Sequence, residues 1–181
     1  SSDLARTLRE LLPGDCLPEG CFSVAEDLLR EARKRNVTLA FAESCTGGLL
    51  GAALTDISGS SDVFLGSAVC YSNSAKKHIL SVSDELLESF GAVSSECAIA
   101  MAKGALNQFG SELALSVTGV AGPGGGSEEK PVGAVWFALA GLCGERAFLH
   151  HFPGDRLQIR RSAMNTGLLL LRKTVMELNI L

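Results

Sequence analysis

No stretch of the 181-residue chain stays apolar for the ~18 residues that a membrane-spanning helix needs, so no membrane partner is expected. The chain also lacks a basic excess. Its 16 Lys and Arg face 20 Asp and Glu for a net charge of −4, which argues against a nucleic-acid surface. The six cysteines, at 16, 21, 45, 70, 97 and 143, contain no C-x-x-C pair. An even count permits three disulfides, but a chain of this size has core enough without them, and reduced cysteines in a cytoplasm are expected. His78, His150 and His151 form no metal motif, since neighbours on a strand point to opposite faces. No metal and no cofactor are expected. The glycine-rich stretch has neither the Gly-Lys-Ser/Thr ending of a P-loop nor G-x-G-x-x-G spacing. The opening Ser1-Ser2-Asp3-Leu4-Ala5-Arg6 carries no initiator methionine and is not followed by the apolar stretch of a signal peptide.

Hydrophobic residues at 46% and charged residues at 20% fit one globular domain with a full core. Leu4, Leu8, Leu11 and Leu12 have helical spacing that Pro13-Gly14 ends, and residues 1–22 read as an extension ahead of a domain over 23–181. Periodicity predicts helices over 23–34, 47–55, 74–80, 84–90, 95–109 and 156–178. Ser94 is the expected cap of the fifth of these. Strands are predicted over 37–42, 64–71, 112–118, 132–140 and 145–152. The nearly continuous apolar character of 64–71 predicts a strand covered on both faces. Gly141-Leu142-Cys143-Gly144 predicts an antiparallel hairpin late in the chain. Strands alternating with helices and then a hairpin argue for an α/β fold, a three-layer α/β/α sandwich with a mixed, mostly parallel sheet.

Three segments follow predicted strands, at the edge where α/β proteins place ligands. In the first, Glu43-Ser44-Cys45-Thr46-Gly47-Gly48 joins strand to helix. A helix start leaves backbone N–H groups unpaired and partially positive, and small residues let a substrate approach them. Ser44 there is either a nucleophile beside oxyanion donors or, like Thr46, only a helix cap. The second segment is Tyr71-Ser72-Asn73-Ser74-Ala75-Lys76. A desolvated lysine serves a serine as general base, and Tyr71 would orient it or relay a proton. The bland alternative makes Lys76 and Lys77 surface charges. The third is the loop 119–131, read either as an anion-binding nest or as a plain surface loop. Asp155-Arg156 either caps the last helix or lets Arg156 reach a phosphate.

Taken together, Ala42-Glu43-Ser44-Cys45-Thr46-Gly47-Gly48, Asp56-Ile57-Ser58-Gly59-Ser60-Ser61, Tyr71-Ser72-Asn73 with Lys76, Gly91-Ala92-Val93-Ser94, the Thr118-to-Gly126 loop, Glu129-Lys130-Pro131-Val132-Gly133 and Gly154-Asp155-Arg156 resemble the C-terminal domain of the competence/damage-inducible protein CinA. The match runs in order from about residue 23 to 175. Stand-alone members of that family are nicotinamide-nucleotide amidohydrolases. The resemblance implies hydrolysis of nicotinamide mononucleotide to nicotinate mononucleotide and ammonia, without a cofactor, in a three-layer fold that is commonly a homodimer. It implies Ser44 as nucleophile and Lys76 as base, with Tyr71 assisting. Amides near Thr46, Gly47 and Gly48 would hold the oxyanion. Asn73, Thr118, Gly119, Gly122, Gly124, Gly125 and Arg156 would hold ribose and phosphate. Larger family members add an N-terminal domain resembling molybdopterin-biosynthesis proteins, which nothing here matches. The rival expectations are a non-catalytic nucleotide-binding module and, from the family name alone, an accessory to DNA uptake or repair.

Overall fold

The protein is described by a computed structural model covering residues 23–178, so the helical spacing at Leu4–Leu12 and the cysteines at 16 and 21 lie outside the described residues. In chain order the elements are α1 (Val24–Arg35), β1 (Leu39–Glu43), α2 (Leu49–Thr55), a 3-10 turn (Ser60–Asp62), β2 (Phe64–Val69), α3 (Asn73–Leu80), α4 (Asp84–Phe90), α5 (Ser95–Phe109), β3 (Leu113–Gly119), β4 (Ala134–Gly141), β5 (Arg146–His151) and α6 (Arg156–Glu177). The helix starts are locally encoded. Ser23, Ser72, Ser83 and Ser94 each accept an amide of the first turn of α1, α3, α4 and α5. Asp155 and Gln158 close a reciprocal capping box on α6.

The strands form one sheet in the order β2-β1-β3-β4-β5. β1 pairs in parallel with β2 and β3, while β4 runs antiparallel to both β3 and β5. β4 alone is reversed, so the carboxyl ends of β1, β2, β3 and β5 lie along one edge. This is the expected mixed α/β/α sandwich. Helices α1, α2 and α6 cover one face, and α3, α4 and α5 the other, with α5 crossing all five strands.

The two faces differ in side-chain size. Alternation along the strands turns Leu39, Phe41, Leu115 and Phe137 toward α1 and α6, and Ala42, Ala114, Ala138 and Ala140 toward α5. Small residues on the second face let α5 lie close, and the Ser116 hydroxyl donates to Ala98 O of that helix at 2.5 Å. Where α5 meets the end of α3, a Cβ on Gly104 would stand 2.2 Å from Leu80 O. A buried ion pair fastens the first face, with Arg172 Nε of α6 2.5 Å from Asp27 of α1.

One expectation fails. The 64–71 segment ends as a strand at Val69 and is not covered on both faces, since β2 is an outer strand with Leu65 and Val69 42% and 47% exposed. Its apolar character reflects contact with β1, with α2 and, through Gly66 and Ala68, with α5, while its outer edge stays open.

Candidate functional site

The carboxyl ends of β1, β2 and β3 meet around a cavity of about 250 Å³ lined in part by Ser44, Tyr71, Asn73, Lys76, Thr118 and Arg156. Lys76 comes from the first turn of α3 and is only 1% exposed. Its Nζ lies 3.2 Å from Ser44 Oγ, 2.9 Å from Cys70 O and 3.5 Å from Tyr71 O. Burial pushes its ammonium below the ordinary lysine range, while the thiols of Cys97, Cys70 and Cys45 and the Tyr71 phenol pull weakly the other way. No carboxylate pairs with it among the described residues. Lys77 points elsewhere, to an ion pair with Asp84.

Ser44 is 93% buried, and its amide donates to Val117 O of the neighbouring strand at 2.9 Å. Neither Ser44 nor Thr46 caps α2. The cap residue is Gly48, in the left-handed region at φ 93°. The N-terminus of α2 is occupied by the buried carboxylate of Glu43. Its Oε2 accepts from the Gly48 and Leu50 amides at 2.9 and 3.1 Å, and its Oε1 from the Gly51 amide at 2.9 Å and the Ser67 hydroxyl at 2.8 Å. The Gly47 amide is also engaged, on Ser44 O. This corrects the expectation that Gly47 and Gly48 amides face a substrate. Cys45 and Thr46 carry the amides of this turn that have neither a carbonyl nor a carboxylate partner among the described residues. The adjoining Cys45 thiol is pushed up to about 11 by burial, so it is not a competing nucleophile at neutral pH.

A second residue that the local sequence does not announce holds the turn from outside. Arg160 of α6 donates to Cys45 O at 3.0 Å and Thr46 O at 2.7 Å, across more than a hundred residues of chain. Thr46 itself is fully buried, its hydroxyl finds no partner among the described residues, and it does not line the cavity.

The remaining expected residues separate into wall and rim. Thr118 Oγ1 donates to Ala92 O at 2.7 Å, leaving its oxygen to the cavity as an acceptor. Gly119 packs tightly on β4, where a Cβ would stand 2.6 Å from Ala134 O. The Tyr71 phenol is at the rim and accepts from Arg156 at 3.1 Å; the main-chain oxygen of Tyr71, not the phenol, reaches Lys76. Arg156 also donates to Gly122 O at 2.8 Å. Gly124 and Gly125 lie at the exposed tip of the loop and do not line the cavity. His150 stacks on Phe152 at a sheet edge, away from these groups.

Among the described residues, no group of three or more His, Cys, Asp or Glu is placed to hold a metal, and no helix is long and apolar enough to cross a membrane. Cys45, Cys70, Cys97 and Cys143 are free thiols.

Comparison with known proteins identifies the family. A family model described as the CinA C-terminal domain matches residues 22–175. A CinA-like protein of Synechococcus is 54% identical over 143 residues, which are 76% of this chain and 34% of the relative. One from Geobacter metallireducens is 47% identical over 175 residues, 97% of this chain and 42% of the relative. The chain thus spans well under half of the curated relatives it matches. Among solved structures, a competence-damaged protein (CinA) superfamily protein from Klebsiella pneumoniae superposes with a TM-score of 0.82 at 31% identity, covering 86% of this chain and 97% of that one. The competence/damage-inducible protein of Agrobacterium tumefaciens gives 0.77 at 42% identity, covering 82% and 91%. With the family model matched over residues 22–175 and a relative 47% identical over 97% of the chain, the chain belongs to the CinA C-terminal domain family.

Proposed function

We propose that this domain is a serine amidohydrolase that converts nicotinamide mononucleotide and water to nicotinate mononucleotide and ammonia. The observation that carries the reading is the 3.2 Å contact between Ser44 Oγ and a buried Lys76 that has no carboxylate partner among the described residues. Desolvation favours the neutral amine, and a neutral amine is a base. Lys76 takes the Ser44 proton as Oγ attacks the carboxamide carbon. The developing oxyanion is assigned to the Cys45 amide, which belongs to a residue lining the cavity and has no carbonyl or carboxylate partner among the described residues. Lys76 returns the proton to the departing ammonia. Water, deprotonated by the same amine, then hydrolyses the acyl-serine.

Three further features support an amide nucleotide as substrate. Thr118 offers the cavity an acceptor, which suits a carboxamide N–H. Arg156 stands at the rim with its guanidinium bound, among the described residues, only to Gly122 O and the Tyr71 hydroxyl and to no carboxylate, as an anion anchor should be. The cavity of about 250 Å³ suits the reacting ring, with ribose and phosphate extending to Asn73, Arg156 and the loop. In this reading the domain works on a free nucleotide in the cytoplasm as a homodimer.

The test is ammonia release from purified protein and nicotinamide mononucleotide, with Ser44→Ala alongside. Turnover by wild type and its loss in a folded Ser44→Ala variant are expected. Near-normal turnover in that variant overturns the serine mechanism. Tight binding of the nucleotide without release of ammonia would favour a non-catalytic nucleotide-binding module.

A further inference from the structure

The Lys and Arg side chains of this acidic protein are unevenly compensated. Many pair with carboxylates, among them Arg33 with Asp62, Lys103 with Glu145 and Arg172 with Asp27. At the cavity or close behind it, Lys76, Lys130, Arg156 and Arg160 bind, among the described residues, only carbonyl and hydroxyl oxygens. Of these, Lys130 has no role in the mechanism above. It sits near the base of the 119–131 loop, half-buried, with Nζ 2.7 Å from Phe90 O at the end of α4. Two residues further along, Ala92 and Val93 form the cavity wall. The Lys130 charge also reaches the buried Cys97 thiol, the same thiol that faces Lys76. Glu128 and Glu129 precede it on the exposed loop, and neither pairs with it.

We propose that Lys130 is a specificity-determining residue that, together with Arg156 at the rim, gives the site its preference for a phosphorylated over an unphosphorylated amide. The proposal rests on the amidohydrolase reading for its substrate class. Its physics is independent of that reading. Two cations without carboxylate partners among the described residues, Arg156 lining the cavity and Lys130 bound to the carbonyl two residues before its Ala92–Val93 wall, focus a positive field on whatever enters. Arg156 offers a planar fork that fixes orientation, whereas Lys130 is a point charge that attracts without demanding geometry. A phosphate dianion is drawn to both, whereas the riboside carries only its pyridinium cation and is drawn to neither.

The experiment compares kcat/KM on nicotinamide mononucleotide and nicotinamide riboside for wild type, Lys130→Gln, Lys130→Arg and Arg146→Gln, at low and high ionic strength. Arg146 is an exposed cation at the start of β5, on the sheet edge opposite the site, so its loss changes net charge equally. Lys130→Gln should lower kcat/KM for the nucleotide about three- to tenfold at low salt, mainly through KM, and flatten its salt dependence. The riboside, a cation, should lose no activity, and any gain should stay under about twofold. Lys130→Arg should retain the preference and Arg146→Gln should leave both substrates unchanged. Equal losses on both substrates would make Lys130 only a tie between the loop and α4, and no loss on the nucleotide would overturn the proposal outright. Calorimetric binding of nicotinamide mononucleotide to Ser44→Ala, with and without Lys130→Gln, separates this from failure of the amidase reading. A matching loss of affinity is expected even where no ammonia is released, and equal affinities overturn the role of Lys130.

Discussion

Glu43→Gln is the most informative single-atom perturbation of this site. The carboxylate accepts from the Gly48, Leu50 and Gly51 amides and from Ser67 Oγ, and it is fully buried. An amide side chain keeps one acceptor oxygen and turns an NH₂ toward donors that need an acceptor. If the oxygen stays with Gly48 and Leu50, Ser67 can rotate to accept from the new NH₂, but the Gly51 amide is left buried and unpaired. A hydrogen bond to a charged acceptor contributes about 1.5–3 kcal/mol, and the lost charge at the helix N-terminus adds about 0.5–1 kcal/mol. The sum is about 3 kcal/mol. For a domain of this size each kcal/mol lowers the melting temperature by about 2–4 °C, so a fall of about 6–12 °C is expected. The assay is thermal unfolding near pH 7.5, paired with steady-state kinetics. Because the same carboxylate fixes the backbone on which Ser44 rides, kcat should fall further than KM rises. A melting shift under about 2 °C would refute the claim that Glu43, rather than solvent, satisfies the start of α2.

Lys76→Ala should lower kcat by about 10²–10⁴-fold, with Lys77→Ala near wild type, since only Lys76 reaches Ser44. The base acts when deprotonated, so wild-type activity should rise with pH through the lowered folded-state value of Lys76 and level off above it; Lys76→Arg, always protonated, should be inactive, and an active Lys76→Arg would remove the residue from this role. Activity should survive EDTA, because no described donor set suits a metal; restoration by added Zn²⁺ or Mg²⁺ after its loss would show the site misread. Gly104→Ala should destabilise by about 1–3 kcal/mol despite alanine's better helix propensity, since its methyl would meet backbone at Leu80; an unchanged melting temperature would show that α5 yields there.

The layers and most element positions were legible because their signals are local. Serines precede four helices, and apolar residues recur at helical or strand spacing. What escaped was set by distance in space. Nothing within 64–71 distinguishes an outer strand from a central one, since that depends on which strands lie beside it. Glu43 closes the helix from five residues upstream across two glycines, outside the usual S/T-x-x-E pattern, so its carboxylate gave no capping signal. Arg160 reaches the turn from the last helix, and its place on a long helix gives no sign of that contact. Ser44 could be read locally as a nucleophile or a cap and Lys76 as a base or a surface charge, and the parallel pairing of β1 with β2 is what brings the residues that follow those strands side by side.

The single reversed strand decides which parts of this molecule are free to diverge. Because β4 starts at the site edge, the segment joining it to β3 never crosses the sheet. It hangs from a clamp at its base, where Val120 donates to Ala134 O and Gly133 donates to Val120 O. A crossover helix must keep its length to span a sheet, whereas a segment tied at both ends like this one is modular. Residues between the clamp points can lengthen, shorten or change charge while the strand register on either side stays fixed. Relatives acting on different amides would then be expected to differ there first, and the Ser44–Lys76 pair would pass between them intact.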